Sequence, residues 1–183
     1  PAWAHHPLAM SEELTMSPVS GLISGIGHPL LGTDHAMFLI SIAFMGISRL
    51  RKWSIPLLVT GLMGSVIAQF ASQNGMPFGT EFIIALSLSI SGLVALQKLP
   101  PVILVPMMFA HGLALGSEVV GSEPTPLFFY FVGLIISQAL LLLISCQLAK
   151  IMIPGLSKKL LDSLSYCWIA LGIVLATASF GLA

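Results

Sequence analysis

The sequence predicts an all-α polytopic membrane bundle of about six transmembrane helices, with a broken or re-entrant helix before the first span. Three observations lead there. Hydrophobic residues make up 56% of the chain before its 17 glycines are counted, whereas soluble domains reach about 45–50% with glycine included. Charged residues are only 8%, against roughly 25% in a soluble domain, too few to cover a water-facing surface. Finally, the basic residues all fall in alternate gaps between the apolar runs. At about 20 residues per crossing and a rise of about 1.5 Å, the 183 residues suffice for about six or seven spans and little else. The organisation expected is an outside N-terminal segment over 1–16 and a single transmembrane domain over 17–183.

Apolar runs bounded by charges and turn residues place the spans near 33–49, 53–71, 80–97, 100–117, 125–149 and 162–181. The connections carry Arg49, Arg51 and Lys52 after the first span, Lys98 after the third, and Lys150, Lys158 and Lys159 after the fifth. All seven basic residues therefore lie on one side, which the positive-inside rule makes the cytoplasm, with both chain ends outside. An outside N-terminus implies export. Ala2-Trp3-Ala4 has the small-x-small form of a signal-peptidase site, so a removed signal peptide is expected, with cleavage before Pro1 or after Ala4.

Residues 17–32 are apolar enough to touch a membrane but carry Pro18, Pro29, Gly21, Gly25, Gly27 and Gly32. Proline removes a donor and clashes with the carbonyl four residues back. The expectation is a short helix over about 19–27 that bends or re-enters before the first span. Irregular backbone at membrane depth is tolerated only where protein or a water-filled cavity receives it, so a break here points to a site.

The ionisable groups near or within the spans are His28, Asp34, His35, Glu81, His111 and Glu118, with Asp162 at the start of the last span. Such groups are costly in a membrane, and function is their default explanation. The orientation above gathers the first six in the outer half of the bundle, whereas Asp162 falls at the opposite face and suits a helix N-terminus. His111 and Glu118 are seven residues apart, on one helix face and about 10 Å apart along the axis. They can line one path but cannot both hold one ion unless the helix breaks. Gly112 and Gly116 would permit that break, although a small-xxx-small packing face is their simpler reading. The direction of His28 relative to His35 stays open because Pro29 intervenes.

Neutral imidazole with carboxylate is a nitrogen and oxygen set suited to nickel, cobalt, zinc or copper(II). A lone membrane histidine is more often an interhelical hydrogen-bonding group; three histidines with Asp34, Glu81 and Glu118 on one side favour a path for a metal ion or a proton. Cys146 and Cys167 sit inside apolar runs without metal-type spacing and read as small hydrophobes.

The string from His28 through Pro29, Leu30, Leu31, Gly32, Thr33 and Asp34 to His35 resembles the HPxxGxDH signature of the HupE/UreJ family of nickel permeases. The run from Ala110 and His111 through Gly112, Ala114 and Gly116 to Glu118 is similar to that family's FHGxAHGxE element. Ala110 stands where the family has an aromatic residue, and Leu115 where it has a second histidine, which removes one ligand. Glu81 resembles the family's acidic residue at the start of its third span. The resemblance covers essentially the whole chain. It implies uptake of Ni²⁺, with Co²⁺ or Zn²⁺ as alternatives, for hydrogenase or urease maturation in a bacterial-type inner membrane. It also implies a processed N-terminus carrying histidine, a position that His5 and His6 fit; the pair would collect ions at the outer mouth or be a frayed terminus.

The balance of seven basic and seven acidic residues gives no reason to expect nucleic acid. The expected partners are the lipid bilayer and a transition-metal ion, and a homo-oligomer is left open. Because no lysine follows a glycine, the chain contains no Walker-type ATP site, and no cofactor is expected. A divalent ion crossing 100 mV gains roughly 2 × 2.3, or about 4.6 kcal/mol, worth about three orders of magnitude of accumulation. Two other readings fit the same residues: an intramembrane zinc-dependent hydrolase, with a closed site and one open coordination position, and a metal-binding membrane subunit that does not transport.

Overall fold

The computed structural model describes residues 17–45, 47–70, 80–117, 119 and 124–181, and over these the chain is helical, with no strand. Seven α-helices follow in order: α1 Pro18–Leu31, α2 Thr33–Ser41, α3 Ile47–Ala68, α4 Thr80–Ala95, α5 Leu104–Ser117, α6 Pro124–Met152 and α7 Lys158–Gly181. Short 3₁₀ turns extend α2 through Ile42–Met45, precede α5 at Pro101–Ile103 and follow α6 at Ile153–Gly155. By length and composition, stretches in α6 and α7 (Thr125–Gly155 and Lys158–Ser179) could each cross a membrane; Asp34–Met45, Phe82–Ala95 and Pro101–Ser117 are shorter apolar helices.

The helix before the expected first span is longer than the sequence suggests. It is capped by Ser17, whose Oγ accepts from the Ser20 N–H at 3.0 Å, and it runs through Pro29 to Leu31. Pro29 deprives the Gly25 carbonyl of its donor four residues on, but Ser137 Oγ, on α6, lies 3.4 Å from that oxygen and 3.2 Å from the Leu134 carbonyl of its own helix, and shares its proton between the two. A neighbouring helix thus supplies a donor where the proline has removed one, as membrane helices allow. The break falls instead at Gly32, with φ −70° and ψ 97°, between the last bond of α1 (Gly32 N–H to His28 O, 2.9 Å) and the first of α2 (Ala36 N–H to Gly32 O, 3.0 Å).

The chain does not turn back at that break. Gly21 meets the backbone of Pro126, and Gly25 meets that of Tyr130 and Leu134. His28 lies beside Tyr130, and His35 shares a cavity with Gln138. Numbers on both chains rise together, so α1 and α2 run parallel to α6 as one interrupted rod. Of the two forms expected before the first span, the helix is broken and not re-entrant, with the break at Gly32. Gln138 sits at the midpoint of α6, so the Gly32 break lies about halfway along the bundle and not at one end.

Three helix pairs dominate the packing: α1 with α6, α3 with α5, and α4 with α7. Each is a close backbone approach through small residues. A Cβ on Gly112 would collide with the Gly61 carbonyl and one on Gly116 with the Ser65 carbonyl, while α5 continues unbroken to Ser117. The glycines of α5 are thus a packing face. Gly92 and Gly172 do the same between α4 and α7. Contacts rise together between α3 and α5 and run opposite between α4 and α7. Leu115 beside Tyr130, with Met108 beside Gln138, sets α5 antiparallel to α6, and Ser91 beside Ser41 sets α4 along α2.

One consequence concerns charge. The start of α3, the end of α4, the end of α6 and the start of α7 meet at one end of the bundle, and with them all seven basic residues. Arg49, Arg51 and Lys52 belong to the first turns of α3 and not to a loop, because α3 starts at Ile47 and not near 53. At the same end Lys158 donates to Asp162 Oδ2 at 2.7 Å; Asp162 lies one turn inside α7, whose first turn holds no acid, so it pairs with a lysine and does not serve the helix start as expected. Cys146, half-buried, packs against the core, and Cys167 is exposed; both are free thiols.

Candidate functional site

Asp34 opens α2, where a carboxylate complements the exposed N–H groups of a helix start. Its Oδ1 accepts twice from the next residue: from the His35 backbone N–H and from His35 Nδ1, each at 2.9 Å. The imidazole of His35 is therefore held with its proton on Nδ1, and the lone pair is on Nε2. Gly32 makes room for this pair, since a Cβ there would stand 3.2 Å from His35 Nδ1 and 3.5 Å from Asp34 Oδ1.

His111 comes from α5 and is 2% exposed. Its ring stacks on Phe38, with centroids 4.3 Å apart and planes at 7°, and meets His35 edge-on at 4.6 Å. Its Nε2 lies 2.8 Å from Ser87 Oγ on α4. The Ser87 hydroxyl proton is directed at the Ile84 carbonyl one turn back, so Nε2–H of His111 donates to the serine oxygen and the free lone pair is on Nδ1.

Among the described residues the two remaining ring nitrogens, His35 Nε2 and His111 Nδ1, are both buried without a hydrogen-bond partner. Such orphans are uncommon and call for a physical explanation. Both rings line one small cavity of about 10 Å³, together with Pro29, Phe38, Leu39, Met108, Leu115 and Gln138, close to the least space that one water requires. A carboxylate orienting an imidazole whose far nitrogen is left bare is the usual second layer of a metal-binding histidine.

Of the eight residues singled out in the sequence, the structure brings together Asp34, His35 and His111. His28 reaches α6: its Nδ1 is 3.3 Å from the Tyr130 hydroxyl, which in turn donates to the Leu115 carbonyl at 2.7 Å. Glu81 belongs to the first turn of α4, but its side chain lies outside the described residues, as do His5, His6 and Glu118. Among the described residues no three His, Cys, Asp or Glu side chains form a ready group for an ion. The sequence reading missed Phe38, Ser87, Tyr130 and Gln138. Only Gln138, an amide in the middle of an apolar run, carried a signal that could have flagged it.

Residues 1–180 match the model of the HupE / UreJ protein family. No curated protein and no solved structure matches the chain.

Proposed function

Because the chain belongs to the HupE/UreJ family, we propose that it is a membrane permease for a divalent transition-metal ion, with nickel as the first candidate and cobalt as the second. The ion would enter the cytoplasm for incorporation into hydrogenase or urease, the enzymes with which this family's nickel and cobalt transport is associated. The observation that carries the reading is the pair of buried imidazole nitrogens, His35 Nε2 and His111 Nδ1, on one cavity near Asp34, without partners among the described residues. Imidazole nitrogen with carboxylate nearby suits these metals. A site of only two direct nitrogens is weak, and a permease needs sites that release as readily as they bind.

In this reading the interrupted rod of α1 and α2, with α3, α4, α5, α6 and α7, makes six crossings. The gathering of all seven basic residues at one end supports a cytoplasmic location for that end, with both termini outside. The halfway position of the Gly32 break agrees with transporters that bind their cargo where a helix is interrupted near the midplane. Asp34 acts in two ways, through its charge and by fixing the His35 ring. Residues whose side chains are not described, Glu81 and Glu118, and the outer pair His5 and His6, are assigned to the approach to this cavity from the sequence alone.

Nickel accumulation in cells expressing wild-type protein or His111→Ala, at matched membrane levels, tests the proposal. Wild-type cells should exceed vector controls and the variant should not. Equal accumulation by wild type and variant would overturn it.

A further inference from the structure

We propose that Gln138 is the third donor of the cavity, so that the cargo ion is held by two imidazole nitrogens and one neutral amide oxygen. This rests on the metal reading above and adds to it a residue outside both sequence signatures. Gln138 is 2% exposed, at the midpoint of a helix whose neighbouring positions are apolar. An amide there is expensive unless something receives it. Among the described residues its side chain makes no hydrogen bond; it faces the cavity that His35 and His111 line, and its Oε1 would lie 3.4 Å from a Cβ on Gly61. It is thus the polar group that α6 contributes to the wall that His35 of α2 and His111 of α5 also line.

The rest of the wall explains why a donor is wanted there. Phe38 covers His111, and Leu115, 1% exposed, offers no ligand atom. Met108 contributes a thioether, a weak and soft ligand. An ion stripped of water needs more than two nitrogens, and the amide carbonyl is the available hard oxygen. A neutral oxygen also adds no charge to that of Asp34, which keeps binding weak enough for release.

The test uses the full chain in lipid nanodiscs with Co²⁺ as the probe, read by its visible ligand-field absorption and by a titration midpoint. Wild type should show a band that His35→Ala abolishes. Gln138→Leu, similar in volume, should shift the band and raise the midpoint by about tenfold or more. Gln138→Glu, which keeps the oxygen and adds a charge, should lower the midpoint. If wild type gives no band, the metal reading itself fails. If wild type and His35→Ala behave as stated but Gln138→Leu leaves band and midpoint unchanged, only the assignment of Gln138 is overturned. Should Gln138→Leu fail to fold, Gln138→Glu decides: a changed band and a lower midpoint support the assignment, and wild-type values refute it.

Discussion

Asp34→Asn separates charge and hydrogen bonding behind the His35 ring that lines the cavity. In the wild type one carboxylate oxygen accepts both the His35 N–H and the His35 Nδ1 proton at 2.9 Å. Asparagine can accept both through its carbonyl, so the ring remains in place. What changes is strength: hydrogen bonds to a charged group are worth about 1.5–3 kcal/mol and neutral ones about 0.5–1.5. The loss is therefore about 1 kcal/mol for the bond that fixes the ring tautomer, and about 2 for both. Loss of the carboxylate also removes its attraction for a dication in a low-dielectric interior. Partners of metal-binding histidines typically contribute 10–100-fold to affinity, so the nickel concentration for half-maximal uptake should rise by about that factor. Asp34→Ala, which also frees the tautomer, should be worse. Uptake of ⁶³Ni²⁺ in cells, with immunoblots for membrane level, provides the measurement. An Asp34→Asn protein that transports like wild type at limiting nickel would exclude any role for the charge and leave Asp34 as a hydrogen-bond acceptor in the first turn of α2, which asparagine can replace.

Other expectations follow from the packing and the termini. Gly112→Val should disrupt the α3–α5 contact, where even a Cβ meets the Gly61 carbonyl, and cost about 1–3 kcal/mol; a lower melting temperature in detergent checks it, and an unchanged one would contradict the close approach. Ser137→Ala should cost about 1 kcal/mol, because the Gly25 carbonyl freed by Pro29 loses its neighbouring donor. Adding Pro29→Ala should recover that loss by restoring the helix's own bond, and thermal denaturation of the single and double variants reads the coupling. Deleting His5 and His6 should reduce uptake at scarce nickel and leave it near normal at high nickel, since capture at an entrance alters local supply more than the path; equal loss at every concentration would put the pair inside the path.

The sequence made the helical character and the central histidines legible because both are local properties. An apolar run needs only its own residues to be read as a helix, and Asp34 next to His35 can only be neighbours. Pro29 misled because its effect is not local: whether a proline breaks a helix depends on whether another helix can serve the orphaned carbonyl, and Ser137 is 112 residues from Gly25. The start of α3 was misplaced for a related reason. Arg49, Arg51 and Lys52 look like a loop by charge, yet helix ends tolerate exposed charge, and both Arg51 and Lys52 are exposed within the helix. Nor could spacing reveal that His28 reaches Tyr130 of α6. Ser87, which fixes the His111 ring, lies 24 residues from it in a run where a small hydroxyl draws no notice.

The central claim is movement of a metal ion by this chain alone. Purified protein in proteoliposomes, with an interior-negative potential of about 100 mV, provides about 4.6 kcal/mol for a divalent cation. Ni²⁺ should enter faster than into protein-free vesicles, slow when the potential is collapsed, and fall to the background rate when both His35 and His111 are replaced by alanine. Influx at the protein-free rate by folded wild-type protein would contradict the account.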